Sequence, residues 1–346
     1  MSFLSGVGDF FGLDIGSRAL RIVELKGSGK VKVLSRYGLI QIDPKLSLSD
    51  ARADQQKLAT IIKDFIAQSG VTSHNVAVGL PSNKVFNTVV DIDRLSPGEL
   101  AKTIKFQADA LIPTPLAESK IDWALLGDSP KDRTKVEILL SSVSNDFVEN
   151  RLDILESIGL NVIAFEPDSI AMMRSMIPVD QMGSHMVVDI GSNSTDLVIA
   201  FGGAPRLIRS IPVGTESFIR AAVQNLNIET SQAEQFVFKF GLSKEKLEGQ
   251  IHGAIIGTID SLVTELEKSI KFFNARHSGV KLEKIIMTGG ASSLPEFPLY
   301  IANKFGIAVE IGNAWRNVAF PPEKQNELLA VSNHFAVAAG LAERYE

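Results

Sequence analysis

Apolar and polar positions along this chain recur with two periods, close to two and close to 3.6. Alternation over Phe11–Leu25, broken by one polar turn, predicts strand, turn and strand, and Val31–Gln41 predicts a third strand after Gly27-Ser28-Gly29. Leu58, Ile61, Ile62, Phe65 and Ile66 then fall at helical spacing over 50–69, with Gly70 as the stop, and Val76–Leu80 returns as a strand ending at Pro81. From Val85 to Ser157 the pattern reads as a separate small unit. It has a strand over 85–92, a helix to about Leu111, strands near 121–126 and 136–143, and a helix over 145–157. Its first helix opens on Ser96-Pro97-Gly98-Glu99, a capping box with proline at the first helical position, and Pro113 and Pro115 end it. A strand over 161–165 and a helix over Asp168–Met176 follow. Met186–Ile211 then repeats the opening three-strand pattern, with Gly202-Gly203 as its hairpin turn. Helices are expected over 215–226, 230–239 and 245–276, a strand over 284–287, a helix over 295–305, a strand over 308–311 and a last apolar helix over 328–341.

The two meanders share more than a period. Gly12-Leu-Asp14-Ile-Gly16-Ser17 and Val187-Val-Asp189-Ile-Gly191-Ser192 are the same phrase, 175 residues apart, and Thr288-Gly289-Gly290-Ala291-Ser292 follows later. In each phrase the glycine supplies backbone freedom at the bend and the aspartate sits at a strand end. Consecutive N–H groups at such a bend form a concavity for a phosphate, the serine hydroxyl adds a donor, and the carboxylate can hold Mg2+ through water. Two of them predict two lobes around one nucleotide.

Composition narrows the classes. With 346 residues the chain exceeds the size at which single cores split, and 45% hydrophobic with 22% charged residues is the make-up of an ordinary globular protein. A net charge of −5 gives no bulk attraction to nucleic acid or anionic lipid. Cysteine is absent, which excludes disulfides, thiolate nucleophiles and cysteine metal sites, and the five histidines lack metal spacing. Phe3, Leu4 and Val7 have no basic flank, Asp9 interrupts them, and no uncharged apolar run approaches membrane-spanning length. A cytoplasmic location is expected, with any membrane association through partners.

Duplicated Asp-Ile-Gly turns, the connecting Glu166-Pro167 and a late Gly-Gly loop resemble the actin-like ATPase superfamily over nearly the whole chain. Within it, Gly12–Ser17, Phe106-Gln-Ala-Asp-Ala-Leu-Ile-Pro113 and Ile211-Pro-Val-Gly214 resemble the PilM family of type IV pilus assembly proteins. The implied fold is α/β, two lobes around a nucleotide cleft with an FtsA-type inserted subdomain. The first lobe takes 1–84 and 158–182, the insertion 85–157, the second lobe 183–226, 227–276 and 277–327, and 328–346 packs back on the first. The implied cofactors are ATP and Mg2+. Gly16, Ser17 and Arg18 would form the first phosphate loop, and Gly191, Ser192, Asn193, Ser194 and Thr195 the second. Asp14 and Asp189 would orient waters on Mg2+, with Glu166 able to orient the attacking water. Gly289, Gly290, Ala291 and Ser292 would line the adenosine pocket near Gly214 and Thr215, and Glu234 would contact the ribose.

Two positions depart from the superfamily's pattern. The second phosphate loop carries Ser192-Asn193-Ser194-Thr195, with Asn193 expected to keep the loop shape through its tolerance of left-handed backbone, and Val237 replaces a lysine. Arg18 and Arg21, alternating with Leu20 and Ile22, fit the outer face of a strand, and Trp123 and Trp315 read as core or interface anchors. The resemblance further implies a scaffold with weak or no ATPase activity. It would hold the cytoplasmic N-terminal tail of the membrane protein PilN in a groove beside the insertion, near Val85, Phe86 and Val89, and link the assembly to the pilus motor ATPases. The alternatives are a sugar-type kinase, which needs a further catalytic base, and an FtsA-like filament protein, which ends in an amphipathic helix where this chain ends after its last apolar helix.

Overall fold

The computed structural model describes residues 8–27, 29 and 31–344; Phe3, Leu4, Val7, Ser28 of the expected turn and Glu346 lie outside the described residues. The first lobe opens with β1 (Phe10–Ile15), β2 (Ala19–Lys26), β3 (Lys32–Gln41), a short α1 (Pro44–Ser47), α2 (Arg52–Ser69) and β4 (Asn75–Leu80). The chain then leaves it for β5 (Val85–Asp93), α3 (Pro97–Leu111), β6 (Ser119–Asp128) and β7 (Lys135–Ser144), and returns through α4 (Asn145–Ser157), β8 (Asn161–Pro167) and α5 (Asp168–Met176). The second lobe holds β9 (His185–Ile190), β10 (Thr195–Phe201), β11 (Ala204–Ile211), α6 (Thr215–Leu226), α7 (Thr230–Phe240), α8 (Gln250–Arg276), β12 (Lys284–Thr288), α9 (Phe297–Phe305) and β13 (Ala308–Ile311). β14 (Val318–Ala319), α10 (Gln325–Val331) and α11 (Ala336–Ala342) complete the chain.

Three sheets result, ordered β14-β3-β2-β1-β4-β8, β11-β10-β9-β12-β13 and β5-β7-β6. In the first two, an antiparallel hairpin continues into parallel neighbours, β1 beside β4 and β9 beside β12. The capping box of α3 forms as its sequence predicts, and Gly70 ends α2 in the left-handed conformation. α4 behaves differently from the unit it was expected to close. It packs on α2 and β8, and Leu155 joins the first-lobe core of Phe11, Leu13, Leu58, Ile62 and Phe65.

Strand parity aims the two motif aspartates. Phe11, Leu13 and Ile15 face α2, so Gly12 and Asp14 face the other way. Met186, Val188 and Ile190 face α6 and α8, so Val187 and Asp189 face the other way as well. That shared side holds α5 and α11, which lie between the two sheets with Trp315 and Phe335 in one apolar cluster. Trp315 is buried there, while Trp123 is half-buried in the small core of the insertion.

The expected last helix is two helices. Apolar spacing continues through the segment, but Ser332–His334 form a 3-10 turn between α10 and α11. The break turns Asn333 toward the Gly-Gly loop. Similarly, α8 starts at Gln250 rather than 245, because Leu247, Glu248 and Gly249 have left-handed backbone that stops a helix from running through them.

Candidate nucleotide site

A single cavity of about 1630 Å3 runs between the lobes, lined by both motif hairpins, the Gly-Gly loop and the start of α5. Gly16, Ser17 and Arg18 form the β1–β2 turn and Gly191 to Ser194 the β9–β10 turn. Each is closed the same way: Gly16 N–H donates to Ala19 O at 3.1 Å and Gly191 N–H to Ser194 O at 2.9 Å. Neither glycine has positive φ, so left-handed freedom is not why glycine stands there, and Asn193 is not left-handed either. Room is a better reason at Gly191, where a Cβ would sit 3.1 Å from Ser194 O.

The second hairpin is braced from below. Thr195 Oγ1 donates to Val213 O, and the first amides of α6, Thr215 and Glu216, donate to Gly191 O and Ser192 O at 3.0 Å each. Gly214 permits that approach, since its Cβ would lie 2.4 Å from Ser192 O. Gly289, with φ of 83°, packs against Asp189; a Cβ there would lie 2.1 Å from Asp189 Oδ1. Asn333 ties the same loop. Its O accepts from Gly289 N–H and Thr288 Oγ1, and its Nδ2 donates to Gly289 O and Ser292 Oγ. Gly290 lines the cavity, whereas Ala291 and Ser292 are buried behind it and act as supports.

Four carboxylates converge on the floor of the cavity: Asp14, Asp168, Asp189 and Asp196. Asp14 is held by Arg21 Nη1 at 2.8 Å across the first hairpin. The cross-strand partner of Asp189, at the same seven-residue offset, is Asp196, a second carboxylate. Like charges directly opposite destabilise a sheet, which marks the second hairpin as built for something that neutralises them. Burial and the neighbouring Asp196 push Asp189 up to about 7, and burial, offset in part by the Ser210 hydroxyl, pushes Asp196 up to about 6. Burial raises Asp14 despite Arg21, and burial plus the charges of the other three carboxylates raise Asp168 well above the usual range. Among the described residues there is no group of three or more such side chains that could hold one ion directly.

Several sequence expectations move. Glu166 is not brought to the cavity: its carboxylate takes both guanidinium nitrogens of Arg174, at 2.6 and 2.9 Å, and Arg344 at 3.1 Å. Burial alone would raise its pKa, but the hydrogen bonds and charges of Arg174 and Arg344 leave it lowered. Asp168, two residues on, occupies the place expected of Glu166; Gly79 makes the room, since a Cβ there would lie 2.2 Å from Asp168 Oδ1. Arg21 lies in the cleft rather than on an outer face. Arg18 spans the cleft mouth and pairs with Glu216 and with Glu234, at 3.2 Å for the latter. Val237 is fully buried in the second-lobe core and faces no ligand. Val85 and Phe86 line a separate 370 Å3 recess against Ile208 and Pro212 of the second lobe, not a groove on the first. Asp168, Asp196, Arg21 and Asn333 were not singled out for the site. For Arg21 and Asp196 a signal existed: each stands seven residues after a motif aspartate, which one hairpin register brings opposite it.

The sequence profile of the family described as type IV pilus assembly protein PilM matches residues 12–346. Among solved structures, a PilM-PilN type IV pilus biogenesis complex contains a chain with 24% identity, covering 97% of this chain and 98% of that one, at a TM-score of 0.83. The ethanolamine utilization protein EutJ from Carboxydothermus hydrogenoformans superposes with a TM-score of 0.59 at 13% identity, over 97% of this chain and 89% of that one. MreB5 of Spiroplasma citri bound to ADP gives 0.57 at 13% identity, over 96% and 95%. The fold is that of the actin-like ATPases.

Proposed function

This chain belongs to the type IV pilus assembly protein PilM family, and on that footing we propose that it is an ATP-binding scaffold of pilus assembly. Its reading as a nucleotide protein is carried by one observation: two like acidic hairpins and a glycine loop face one cavity. Gly16–Arg18 and Gly191–Thr195 would bind the phosphates, and Asp14 and Asp189 would hold the waters of Mg2+. That cation, when bound, supplies charge neutralisation for the phosphate oxygens. Gly289 and Gly290 would let the backbone approach the base, and Gly214 and Thr215 support the loop beside it. Glu234 reaches a ribose only if Arg18 releases it. Asp168 is better placed than Glu166 to orient a water, and its high pKa suits a protein with weak or no turnover, because a protonated carboxyl is a poor base.

The partner follows from similarity to the chain of the PilM-PilN complex. The cytoplasmic N-terminal tail of PilN would dock between the first lobe and the insertion, placing the protein at the inner membrane through its partner. From there it would link the assembly to the motor ATPases. Among the described residues no helix is long and apolar enough to cross a membrane. Titration calorimetry with Mg-ATP tests the site. The expected result is binding by the wild type and, for Asp189→Ala, a loss of roughly ten-fold or more, the scale of one charged contact. Equal affinity in both proteins counts against the assigned site.

A further inference from the structure

Ligand pockets are ordinarily about 300–1,000 Å3, and this cavity is about 1630 Å3. Besides the phosphate hairpins its lining takes in an arm along α2 and α4, with Gln55, Gln56, Phe147, Asn150 and Arg151. Phe147 and Arg151 are one turn apart on α4, so both face the arm. The Arg151 guanidinium carbon lies 5.5 Å from the Phe147 ring centre, and Lys84 Nζ lies 5.7 Å from it. One aromatic ring thus carries two cations.

Arg151 is 6% exposed, and its Nη1 has no hydrogen-bond partner. Asp168 and Asp50 act on it by charge, but among the described residues no carboxylate comes within ion-pair distance of it. An arginine removed from water with no carboxylate in direct contact is costly, and its planar fork is shaped for carboxylate or carbonyl oxygens. The amide side chains around it can serve the N–H and C=O groups of an extended chain.

We infer that Arg151 is an oxygen-binding anchor at the floor of a second subsite, which takes a main-chain carbonyl or a carboxylate of an extended peptide. This rests on the proposal that a PilN tail docks between the first lobe and the insertion, beside whose junction Lys84, just before β5, and Phe147, just after β7, lie, and it says which residue grips the tail. The unpaired Nη1 donates to the peptide oxygen, Phe147 covers the contact from water, and Lys84 at the rim adds positive potential.

The test compares wild type, Arg151→Met and Arg151→Lys. Binding of a synthetic peptide of the cognate PilN cytoplasmic N-terminal tail, binding of Mg-ATP and the melting temperature are measured on each. Methionine keeps an unbranched stem and removes the buried charge, so Arg151→Met is expected to melt no lower than wild type. It is expected to bind the peptide roughly ten-fold or more weakly, at unchanged Mg-ATP affinity. Arg151→Lys, which keeps the charge and loses the fork, should fall between. Wild type and Arg151→Met binding the peptide equally overturns the anchor and leaves the docking proposal standing. A wild type that binds no peptide overturns the docking proposal, and the anchor with it. Loss of Mg-ATP affinity with peptide affinity intact assigns Arg151 to the nucleotide instead, and a lower melting temperature with unchanged peptide affinity makes it structural; either overturns the anchor.

Discussion

Asp189 and Asp196 show how one register decides a site. In the first hairpin the residue opposite the motif aspartate is Arg21, which neutralises Asp14; in the second it is Asp196, which opposes Asp189. Burial and like charge favour the protonated form in the second pair, and a cation bound there as proposed would have to displace those protons. Both carboxyls have folded-state values, about 7 and about 6, above the unfolded value near 3.8. The folded protein therefore binds more protons than the unfolded chain between about pH 4 and 7, and its stability without ligand falls as pH rises through that window. The proposed Mg2+ binding would have the opposite slope, because deprotonated carboxylates are what its waters would contact. Calorimetry from pH 5.5 to 8 in buffers of different ionisation enthalpy should show tighter Mg-ATP binding at higher pH with proton release. Asp196→Asn should flatten the slope; an unchanged slope would mean that this pair does not face the cation. The short phrase Asp-Ile-Gly-Ser was readable twice in the sequence, but its partners seven residues on required the register.

Element by element, the strands and most helices were legible because each keeps one period between clear stops, as α3 does between its capping box and Pro113. The break between α10 and α11 was not, because apolar spacing runs through Ser332–His334 and the reason for the break is tertiary: Asn333 must reach Gly289. The pairing of Glu166 with Arg174 was hidden too. Eight residues separate them across a strand–helix junction, a spacing that matches no local rule. The packing of α11 on α5 also depends on a residue whose role a helical pattern cannot show. Gly340 in the middle of α11 would be improved by alanine on propensity alone, by about 1 kcal/mol. Its Cβ would, however, lie 1.8 Å from Ala171 O, on backbone that cannot rotate away. Overpacking of a tight core costs about 1–3 kcal/mol, so the clash outweighs the propensity gain. Gly340→Ala should lower the melting temperature, and because α5 begins with Asp168 it should weaken Mg-ATP binding as well. A raised melting temperature would show that the two helices separate freely.

Across the whole molecule the insertion belongs to both lobes. The chain enters and leaves it from the first lobe, at Leu80–Val85 and at Ser144–Asn145, yet its side chains are fastened to the second. Glu137 of β7, fully buried, accepts from Arg206 Nη1 of β11 at 2.5 Å and from Arg276 Nε at the end of α8 at 2.7 Å, and Arg276 also holds Asp91 of β5 at 2.9 Å. No periodicity in the sequence announces this clamp, since its members are up to 185 residues apart. Rotation of one lobe against the other must either shear the clamp or shift the insertion relative to α2 and α4, which border the arm holding Arg151. A buried pair broken on one side costs about 3–5 kcal/mol because the remaining charges stay buried. Such a clamp would resist lobe motion and would tie the insertion to the second lobe. If tail and nucleotide bind as proposed, they would be coupled through it to the extent that each prefers one lobe arrangement, and the coupling would be reciprocal. Glu137→Gln keeps the shape and removes the charge. It should raise amide hydrogen exchange across β5–β7 and bring the ratio of Mg-ATP affinities with and without tail peptide close to one, where a ratio of about five or more is expected for the wild type. Exchange that stays slow in Glu137→Gln would mean that apolar contact between β5 and β11, not the charges, carries the insertion with the second lobe.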